Sequence, residues 1–372
     1  YTTLFRSGDV ASVTLRDVWG SERTITGVVG EAEVLPHDVG DASVRFVLRP
    51  DFYRLTLGRS ARTFHDKDAL EIVKEVLGKG GVAARFEIGE TYAKREYTAQ
   101  YRESDFDFVC RLLEEEGVYY YFDHAAASIL VLSDHSPSAS DLDGAGWRQG
   151  APTGPAIDYR PETGLASPRA FVRELGARPR ALAGKYSLGS FDFTKPSFKV
   201  SAQAGGDGIE FYDAPGAGVS DPGVLAKQAT IASERAKANA SIVKGTSPSV
   251  RLAPGRAFEL SGHAFGRLDG RFVVTKASFA VDNVGQLASS GRPIDITFSA
   301  LPADIPFRPH AVTPVPKHPG LHSGIVVGPS GEEVYPDAAG RVRLQQHWDR
   351  EGTKDEKRSE ERRVGKECRS RW

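Results

Sequence analysis

The stretch from residue 104 to residue 122 constrains the fold more than any other part of the chain. Ser104 and Asp107 form an S-x-x-D pattern suited to a capping box, so a helix is predicted to begin here. Its apolar stripe consists of Val109, Leu112 and Leu113. Gly117 is a typical helix end, and the aromatic, β-branched sequence VYYYF that follows it predicts a strand. The fold must therefore accommodate a helix that leads directly into a strand.

Short β-rich segments, with partly alternating apolar and polar residues, dominate the remainder of the sequence. They lie at residues 13–18, 24–26, 44–48, 250–252, 258–260, 272–274, 294–298, 324–327 and 341–348. Two more helices are predicted, at residues 66–77 and at residues 222–242. In the first of these, Leu70, Val73 and Leu77 share one face. We therefore expect a mainly β chain with helices, of the α+β class.

The length of 372 residues suggests two or three domains, at roughly 150 residues each. Residues 133–168 are rich in Ser, Pro, Gly and Asp, which predicts loops. Residues 302–319 contain six prolines, a density that predicts an extended and fairly stiff linker between domains. A new β-unit then opens at residues 324–327.

Charge and hydropathy exclude several classes of partner. The chain has 48 Lys+Arg against 49 Asp+Glu, so neither nucleic acid nor an acidic membrane surface is expected to bind it. No apolar run approaches the roughly 18 to 20 residues of a membrane-spanning segment. No N-terminal segment resembles a signal peptide, which fits a cytoplasmic protein, although an incomplete N-terminus would hide a signal.

The two ends of the chain are related through one DNA sequence. Residues 1–7 read YTTLFRS and residues 358–364 read RSEERRV. The codons TAC ACG ACG CTC TTC CGA TCT encode the first, and their reverse complement encodes the second in frame. Since the chain also lacks Met, we expect residues 1–7 and 358–372 to be a sequencing-adapter artefact that packs against nothing; the alternative is a basic, disordered tail. Between these ends Cys110 is the single cysteine, so no intrachain disulfide is expected.

Several groups of polar residues suggest chemistry at first sight, although the nucleotide-binding motif G-x-x-x-x-G-K-[ST] and the nucleophile motif G-x-S-x-G are both absent. His65, Asp66 and Asp68 suggest a metal or acid–base cluster, but they open a predicted helix, where carboxylates cap exposed N–H groups. The histidines of the Pro-rich segment lack the spacing of metal ligands, which indicates solvated linker side chains. They are His310, His318 and His322.

Two runs of identical residues remain. Consecutive helical residues do not face one another, so the run of three glutamates at residues 114–116 indicates a solvated helix end rather than paired catalytic carboxylates. Tyr119, Tyr120 and Tyr121 could stack sugars, but alternation in a strand places Tyr120 opposite the other two, which is typical of a core face and an interface face. We predict no catalytic, cofactor-binding or metal-binding residue, and a structural protein rather than an enzyme.

The segment QYRESDFDFVCRLLEEEGVYYYF (100–122) resembles the most recognisable motif of the VgrG family, the trimeric spikes of type VI secretion. Other segments resemble that family in the same order. They are FHDKDALEIVKEVL (64–77), SLGSFDFTKPS (187–197), EFYDAPG (210–216), LAPGRAFELSGH (252–263), LDGRFVVTKASF (268–279) and GIVVGPSGEEVYPDAAGRVRLQQHWDREG (324–352). The sequence departs from the family at Gln346, where an aromatic or apolar residue is usual.

The resemblance implies a fold like that of phage tail hubs, a double β-barrel with intervening helices followed by the start of an OB-fold. The implied domains are a hub over residues 8–301, a Pro-rich linker over 302–322 and an incomplete OB-fold neck over 323–357. The implied role is mechanical: a homotrimer caps the Hcp tube, carries a PAAR tip, contacts baseplate and effector proteins, and helps to puncture a target envelope. Such a protein is assembled in the cytoplasm and then secreted through the type VI machine.

Three alternatives stay open. The chain could belong to a contractile phage or phage-like tail hub, with a hydrolase domain beyond residue 357. It could come from a VgrG with a C-terminal effector domain. It could also be a carbohydrate-binding β-module that uses Tyr119, Tyr120 and Tyr121, which titration with cell-wall glycans would distinguish.

Overall fold

The computed structural model describes residues 8–35, 43–124, 127–142, 151–161, 169–192, 195–214, 220–280, 294–329, 335–336, 340–352 and 360–363. The strands in these ranges are β1 Val10–Arg16, β2 Glu22–Leu35, β3 Ser43–Arg49, β4 Arg59–Lys67, β5 Ala84–Glu87, β6 Arg95–Ser104, β7 Tyr119–Asp123, β8 Ile129–Ser133, β9 Ala156–Tyr159, β10 Phe171–Val172, β11 Glu174–Ala177, β12 Lys185–Phe191, β13 Lys199–Gly205, β14 Glu210–Asp213, β15 Val243–Ser247, β16 Ala257–Ser261, β17 Gly270–Ala280, β18 Asp295–Pro302, β19 Gly324–Val327, β20 Arg341–Gln346 and β21 Glu360–Arg363. The α-helices are α1 Ala69–Lys79, α2 Asp105–Glu116 and α3 Pro222–Ser241. The predicted α+β class, mainly β with helices, is confirmed.

Helix α2 has the ends that its sequence predicts. The Ser104 hydroxyl accepts a hydrogen bond from the Asp107 backbone N–H at 3.0 Å and donates one to the Asp107 carboxylate at 2.7 Å. Gly117 ends the helix in the left-handed conformation, with φ of 70°. The predicted stripe is buried, as is the thiol between its members. These residues are Val109, Cys110, Leu112 and Leu113.

The other two helices follow the predictions with small shifts. Helix α1 begins three residues later than predicted, because Asp68 is its N-cap and accepts hydrogen bonds from the N–H groups of Leu70 and Glu71, both at 2.9 Å. It continues past Gly78, and Leu70 is only partly buried while Val73 and Leu77 belong to the core. Helix α3 begins at Pro222, as the sequence predicts.

The largest sheet nearly closes into a barrel. Its strand order is β10-β9-β16-β17-β18-β15-β11, so β10 and β11 are its two edges, yet only Arg173 separates them in the chain. The Arg173 N–H donates to the Thr246 carbonyl at 2.8 Å, and the Ser247 hydroxyl donates to the Phe171 carbonyl at 2.7 Å. Both edges therefore meet β15, which leaves little of either edge unpaired. The interior is apolar, with Ile157, Leu252, Phe258, Phe272 and Phe298 among its side chains.

The N-terminal part of the described chain contains three smaller sheets, β1-β2-β3, β4-β6 and β5-β8-β7. The last two share a core with α1 and α2, in which Phe52, Ile72, Phe108 and Leu112 are among the fully buried side chains. Strand β7, which carries the predicted YYYF residues, pairs with β8 and follows α2 after two residues.

Two predictions for segments outside the helices are wrong, the first entirely and the second in part. Residues 250–252 form a turn rather than a strand, and Val250 instead packs with Ile294 and Ile296 in a small core of its own. Apolar side chains can be buried without strand pairing, which residue type alone does not reveal. The loop-rich segment 133–168 contains β9, which adds to the edge of the barrel beside β16.

The C-terminal sheet has the order β19-β20-β21. Strand β19 has the predicted bounds, and Gln346 at the end of β20 is buried. The expectation that residues 358–372 pack against nothing is wrong for Glu360–Arg363, which pair antiparallel with β20 between Arg341 and Leu344. An open strand edge accepts backbone partners whatever their side chains are, and β20 offers such an edge. Residues 1–7 and the remainder of the C-terminal segment lie outside the described residues.

Candidate assembly surfaces

The first half of the Pro-rich segment is hydrogen-bonded to residues that come earlier in the chain. The Phe307 N–H donates to the Ser136 hydroxyl at 2.7 Å. The N–H groups of Val312 and Thr313 both donate to the Glu114 carboxylate, at 3.0 and 2.9 Å. This segment therefore has a defined path across the ends of α2 and β8.

Arg308 is the centre of that contact. Its guanidinium is buried and donates to the Glu234 carboxylate of α3 at 2.7 Å, to the Gly117 carbonyl at 3.2 Å and to the Asp134 carbonyl at 3.0 Å. One side chain thus joins the end of α2, the end of β8 and the middle of α3. Buried charges of this kind are stable only when hydrogen-bonded on several sides, as this one is.

The C-terminal part of the described chain contacts strand β6 through an aromatic cluster. Tyr101 of β6 stacks on the ring of His318, with centroids 3.9 Å apart, and meets Trp348 at 5.1 Å. His322 approaches the same tyrosine ring at 5.9 Å. The Pro-rich segment, through His318 and His322, and Trp348 after β20 therefore pack on Tyr101 of β6.

Ion pairs surround the aromatic cluster. Glu351 accepts from Arg62 at 3.2 Å and from Lys79 at 2.6 Å, and the Thr63 hydroxyl donates to Asp349 at 2.6 Å. Burial raises the pKa of Glu351, but the hydrogen bonds from Lys79 and Arg62 outweigh it and the net pKa is lowered. The carboxylate is therefore charged at neutral pH and stays bound to both cations.

The sheet β13-β12-β14 leaves an apolar surface exposed. One face packs on α3, where Leu188 and Val200 meet Leu225 and Ala229. The opposite face and the edge strand β14 are open to solvent, and all four residues of β14 are exposed. We call the exposed apolar side chains in this sheet, or next to the ends of its strands, the hairpin surface: Phe191, Phe198, Ile209, Phe211 and Tyr212.

Most of the polar groups that suggested chemistry have structural roles. Asp68 is the cap of α1, as predicted, and Asp66 adopts a left-handed backbone with φ of 52°. His318 and His322 lie in the aromatic cluster instead of being merely solvated, and His310 shares a hydrogen bond of 3.2 Å with Asn239. Among the residues that the structure describes, no three His, Cys, Asp or Glu side chains are grouped as a metal site would require.

The glutamate run at the end of α2 is not a solvated helix end, so that prediction is wrong. Glu114 binds the Pro-rich segment, while Glu115 and Glu116 each accept from Arg95 at 2.6 Å. In β7, Tyr119 is buried and Tyr120 is partly exposed, its ring 5.3 Å from that of Phe52. The sequence gives no sign of these partners, because they come from distant parts of the chain.

The protein consists of several sheets, and one of them exposes the apolar side chains of the hairpin surface. The chain belongs to the phage tail baseplate hub (GPD) family, whose model matches residues 6–285. In the described part of the chain no helix combines the length and apolar character needed to cross a membrane.

Within that family the chain is similar to spike proteins of type VI secretion. The type VI secretion system spike protein VgrG1b of Pseudomonas aeruginosa is 30% identical over 95% of this chain and 48% of its own length. The actin cross-linking toxin VgrG1 of Vibrio cholerae is 28% identical over 85% of this chain and 29% of its own length. The chain therefore spans about half, or less, of the relatives it matches.

A solved structure agrees with the fold. An E. coli component of the type VI secretion system, described as similar to the T4 phage tail proteins gp27 and gp5, aligns with a TM-score of 0.57. The alignment covers 87% of this chain and 73% of that chain at 21% identity. The predicted resemblance to VgrG proteins and phage tail hubs is confirmed.

Proposed function

We propose that this chain is the hub part of a type VI secretion spike and acts as a structural component. In this proposal residues 8–301 are the hub, residues 302–322 the linker and residues 323–357 the start of an OB-fold neck. The proposal is carried by one observation, the exposed apolar hairpin surface on a chain that is related to spike proteins along most of its length. Exposed patches of this kind mark binding surfaces.

The proposed mechanism is mechanical. Three copies assemble in the cytoplasm, the hub caps an Hcp tube, and a PAAR-tipped needle beyond the neck is driven through a target envelope and secreted. The contacts between neck and hub support this role, because a part that transmits force needs its segments locked together. Glu351, bound to both Arg62 and Lys79, supplies such a lock.

The hairpin surface is the proposed site of contact between copies. Strand β14 lies at the edge of its sheet, and among the described residues no strand pairs with its outer side, a geometry that attracts another chain. Phe211 and Tyr212 of that strand are about half exposed or more, at 49% and 65%. Their burial against a second copy would remove apolar surface from water.

The test is sedimentation of the purified chain alone and with Hcp hexamers, at micromolar concentration. We expect largely monomer alone, because association of three bodies costs about 4 to 15 kcal/mol per step and the needle, which would bury the largest shared surface, is not part of this chain. Co-sedimentation with Hcp is expected. Where copies of the chain associate at higher concentration, Phe211→Asp should prevent that association while Val315→Asp, at a residue of the Pro-rich segment that is 63% exposed, should not.

No association with Hcp at tens of micromolar would contradict the proposal. A stable trimer of the chain alone would show that the hub interface suffices and that the needle contributes less than argued here.

A second candidate is a hub of a contractile phage tail, which the family description favours. It places the chain on a phage tube protein rather than on Hcp, so the same sedimentation experiment with a phage tube protein separates the two. The toxin relative, of which the chain covers 29%, shows how much chain can lie outside the hub in a related protein. Sequencing the genomic DNA past both ends would show whether a hydrolase or effector domain accompanies this hub.

A further inference from the structure

A cavity of about 250 Å³ lies where three parts of the hub meet. Its walls come from the start of β2, the end of β7 and the turn at residues 250–256. Strands β2 and β7 belong to different sheets, and the turn at residues 250–256 leads into strand β16 of the barrel. A ligand in the cavity therefore lies beside all three segments.

Three guanidinium groups line this cavity, those of Arg23, Arg251 and Arg256. Arg251 is only 6% exposed, and its guanidinium donates to the Gly154 carbonyl. Arg23 donates to the Leu252 carbonyl at 3.3 Å, and a carbonyl is a neutral acceptor that does not cancel the cationic charge. The positive charge is therefore concentrated at one place in a largely buried setting.

Two carboxylates also line the cavity. Glu22 pairs with Arg16, outside the cavity, at 2.7 Å. Asp123 is 3.1 Å from Arg85 and 3.9 Å from Arg256. Among the described residues no carboxylate lies within ion-pair distance of Arg23, so the positive charge of Arg23 is not offset by an ion pair.

The electrostatics of two neighbouring groups agree with this excess of positive charge. Burial, and then the charge of Arg256, lower the pKa of Arg23 to about 10, which still leaves the guanidinium charged at neutral pH. Burial, and then the charge of Arg23, lower the pKa of His124, so its ring is neutral. The His124 Nδ1 accepts from the Thr26 N–H at 3.3 Å, which leaves the proton of the neutral ring on Nε2 as a donor.

We propose that this cavity binds a small oxyanion with two or more negative charges, a phosphate or a polycarboxylate, between Arg23 and Arg256. Guanidinium groups present several N–H donors in a plane that matches the oxygens of both ligands. The anion pairs with Arg23 and offsets the repulsion from Arg256 that helps to lower the pKa of Arg23. It also connects β2, the end of β7 and the barrel, so its binding stabilises the arrangement of the three.

The test is isothermal titration calorimetry of the full chain with inorganic phosphate and, separately, with citrate, at constant ionic strength set by NaCl. We expect saturable binding of at least one of these anions and a thermal unfolding temperature that rises with its concentration. Arg23→Gln should weaken binding by about tenfold or more, the effect of losing a charge-assisted hydrogen bond. The matched control is Arg45→Gln, because Arg45 is 67% exposed in its side chain and does not line the cavity.

The two anions distinguish the sources of the ligand. Binding of phosphate alone assigns the cavity to a phosphate group, and binding of citrate alone assigns it to a polycarboxylate. If Arg23→Gln does not fold, Arg256→Gln takes its place, and selenate soaked into crystals of the unaltered chain reports the position of the anion. Absence of saturable binding of either anion, or affinity that neither substitution changes, overturns the proposal.

Discussion

Replacing Arg308 by Met is the perturbation that most directly tests how the hub is held together. The substitution keeps an unbranched apolar stem but removes every donor of the guanidinium. It leaves the Glu234 carboxylate without its partner at 2.7 Å and the carbonyls of Gly117 and Asp134 without theirs. The structure therefore predicts a loss of stability shared by α2, β8 and α3.

The magnitude follows from the burial of the two charges. Breaking a buried ion pair by removing one partner costs about 3 to 5 kcal/mol, because the other charge is left uncompensated. Arg308 is buried, but the Glu234 side chain is 23% exposed and regains some hydration, so the lower end, about 3 kcal/mol, is expected. With a urea dependence near 3 kcal/mol per molar, this corresponds to a fall of about 1 M in the unfolding midpoint.

The assay is urea unfolding followed by far-UV circular dichroism, with Arg45→Met as the control. Arg45 pairs with Glu33 at 3.9 Å and both side chains are more than half exposed, so that loss should stay within about 1 kcal/mol. Adding Glu234→Gln to Arg308→Met should recover part of the loss, since the stranded charge is then gone. A free energy of unfolding for Arg308→Met within about 0.5 kcal/mol of that of the control would refute the reasoning.

Three further predictions concern α1, α2 and the glycine that ends α2. Leu112→Ala should lower the free energy of unfolding by about 2 to 5 kcal/mol, since Leu112 is fully buried; a loss below about 0.5 kcal/mol in urea unfolding would mark a surface site. Gly117→Ala should destabilise the fold by about 1 to 3 kcal/mol, because its φ is 70° and a Cβ would lie 3.0 Å from Ile231. Gly78→Ala, where a Cβ inside α1 would meet open space, should stabilise the fold by about 0.5 to 1 kcal/mol. Equal effects of the two substitutions in thermal unfolding would contradict this prediction. Burial raises the pKa of Cys110 to about 12, so in a Cys368→Ser background the Cys110 thiol of the folded chain should resist a disulfide reagent at pH 8. The free energy of unfolding should fall as pH rises from about 9 towards 12, because the thiol ionises first in the unfolded chain. Rapid labelling of the folded chain at pH 8 would contradict this prediction.

Local signals in the sequence were sufficient for the helices. The cap at Ser104, the apolar positions of α2 and the glycine after it are all within one short segment, and the hydrogen bonds they predict form between neighbours. The same holds for Pro222 at the start of α3. Elements whose determinants are adjacent in the chain can be predicted from it, because no distant partner is needed.

The contacts that join the parts could not be predicted in this way. An arginine in a proline-rich segment gives no indication of burial, yet Arg308 is bound by residues more than 70 positions away. The glutamates after Leu113 have the pattern of a solvated end until Arg95 and the linker are placed beside them. The cavity lined by Arg23 and Arg256 likewise exists only because β2 and the barrel turn are brought together.

Arg62 connects the proposed neck with the proposed hub. Its side chain is 4% exposed and donates to Gln100 in β6, to Asp105 at the start of α2 and to Glu351 beyond β20. A pull or push on the neck therefore reaches the strand pair β4-β6 and the helix α2 through hydrogen bonds at one buried guanidinium, without passing through the proline-rich segment. That segment is bound separately through Arg308 at the other end of α2, so the two attachments hold the same helix at its two ends. Two attachments at opposite ends of one helix resist rotation more than a single attachment would, which supports the proposed role in transmitting axial force.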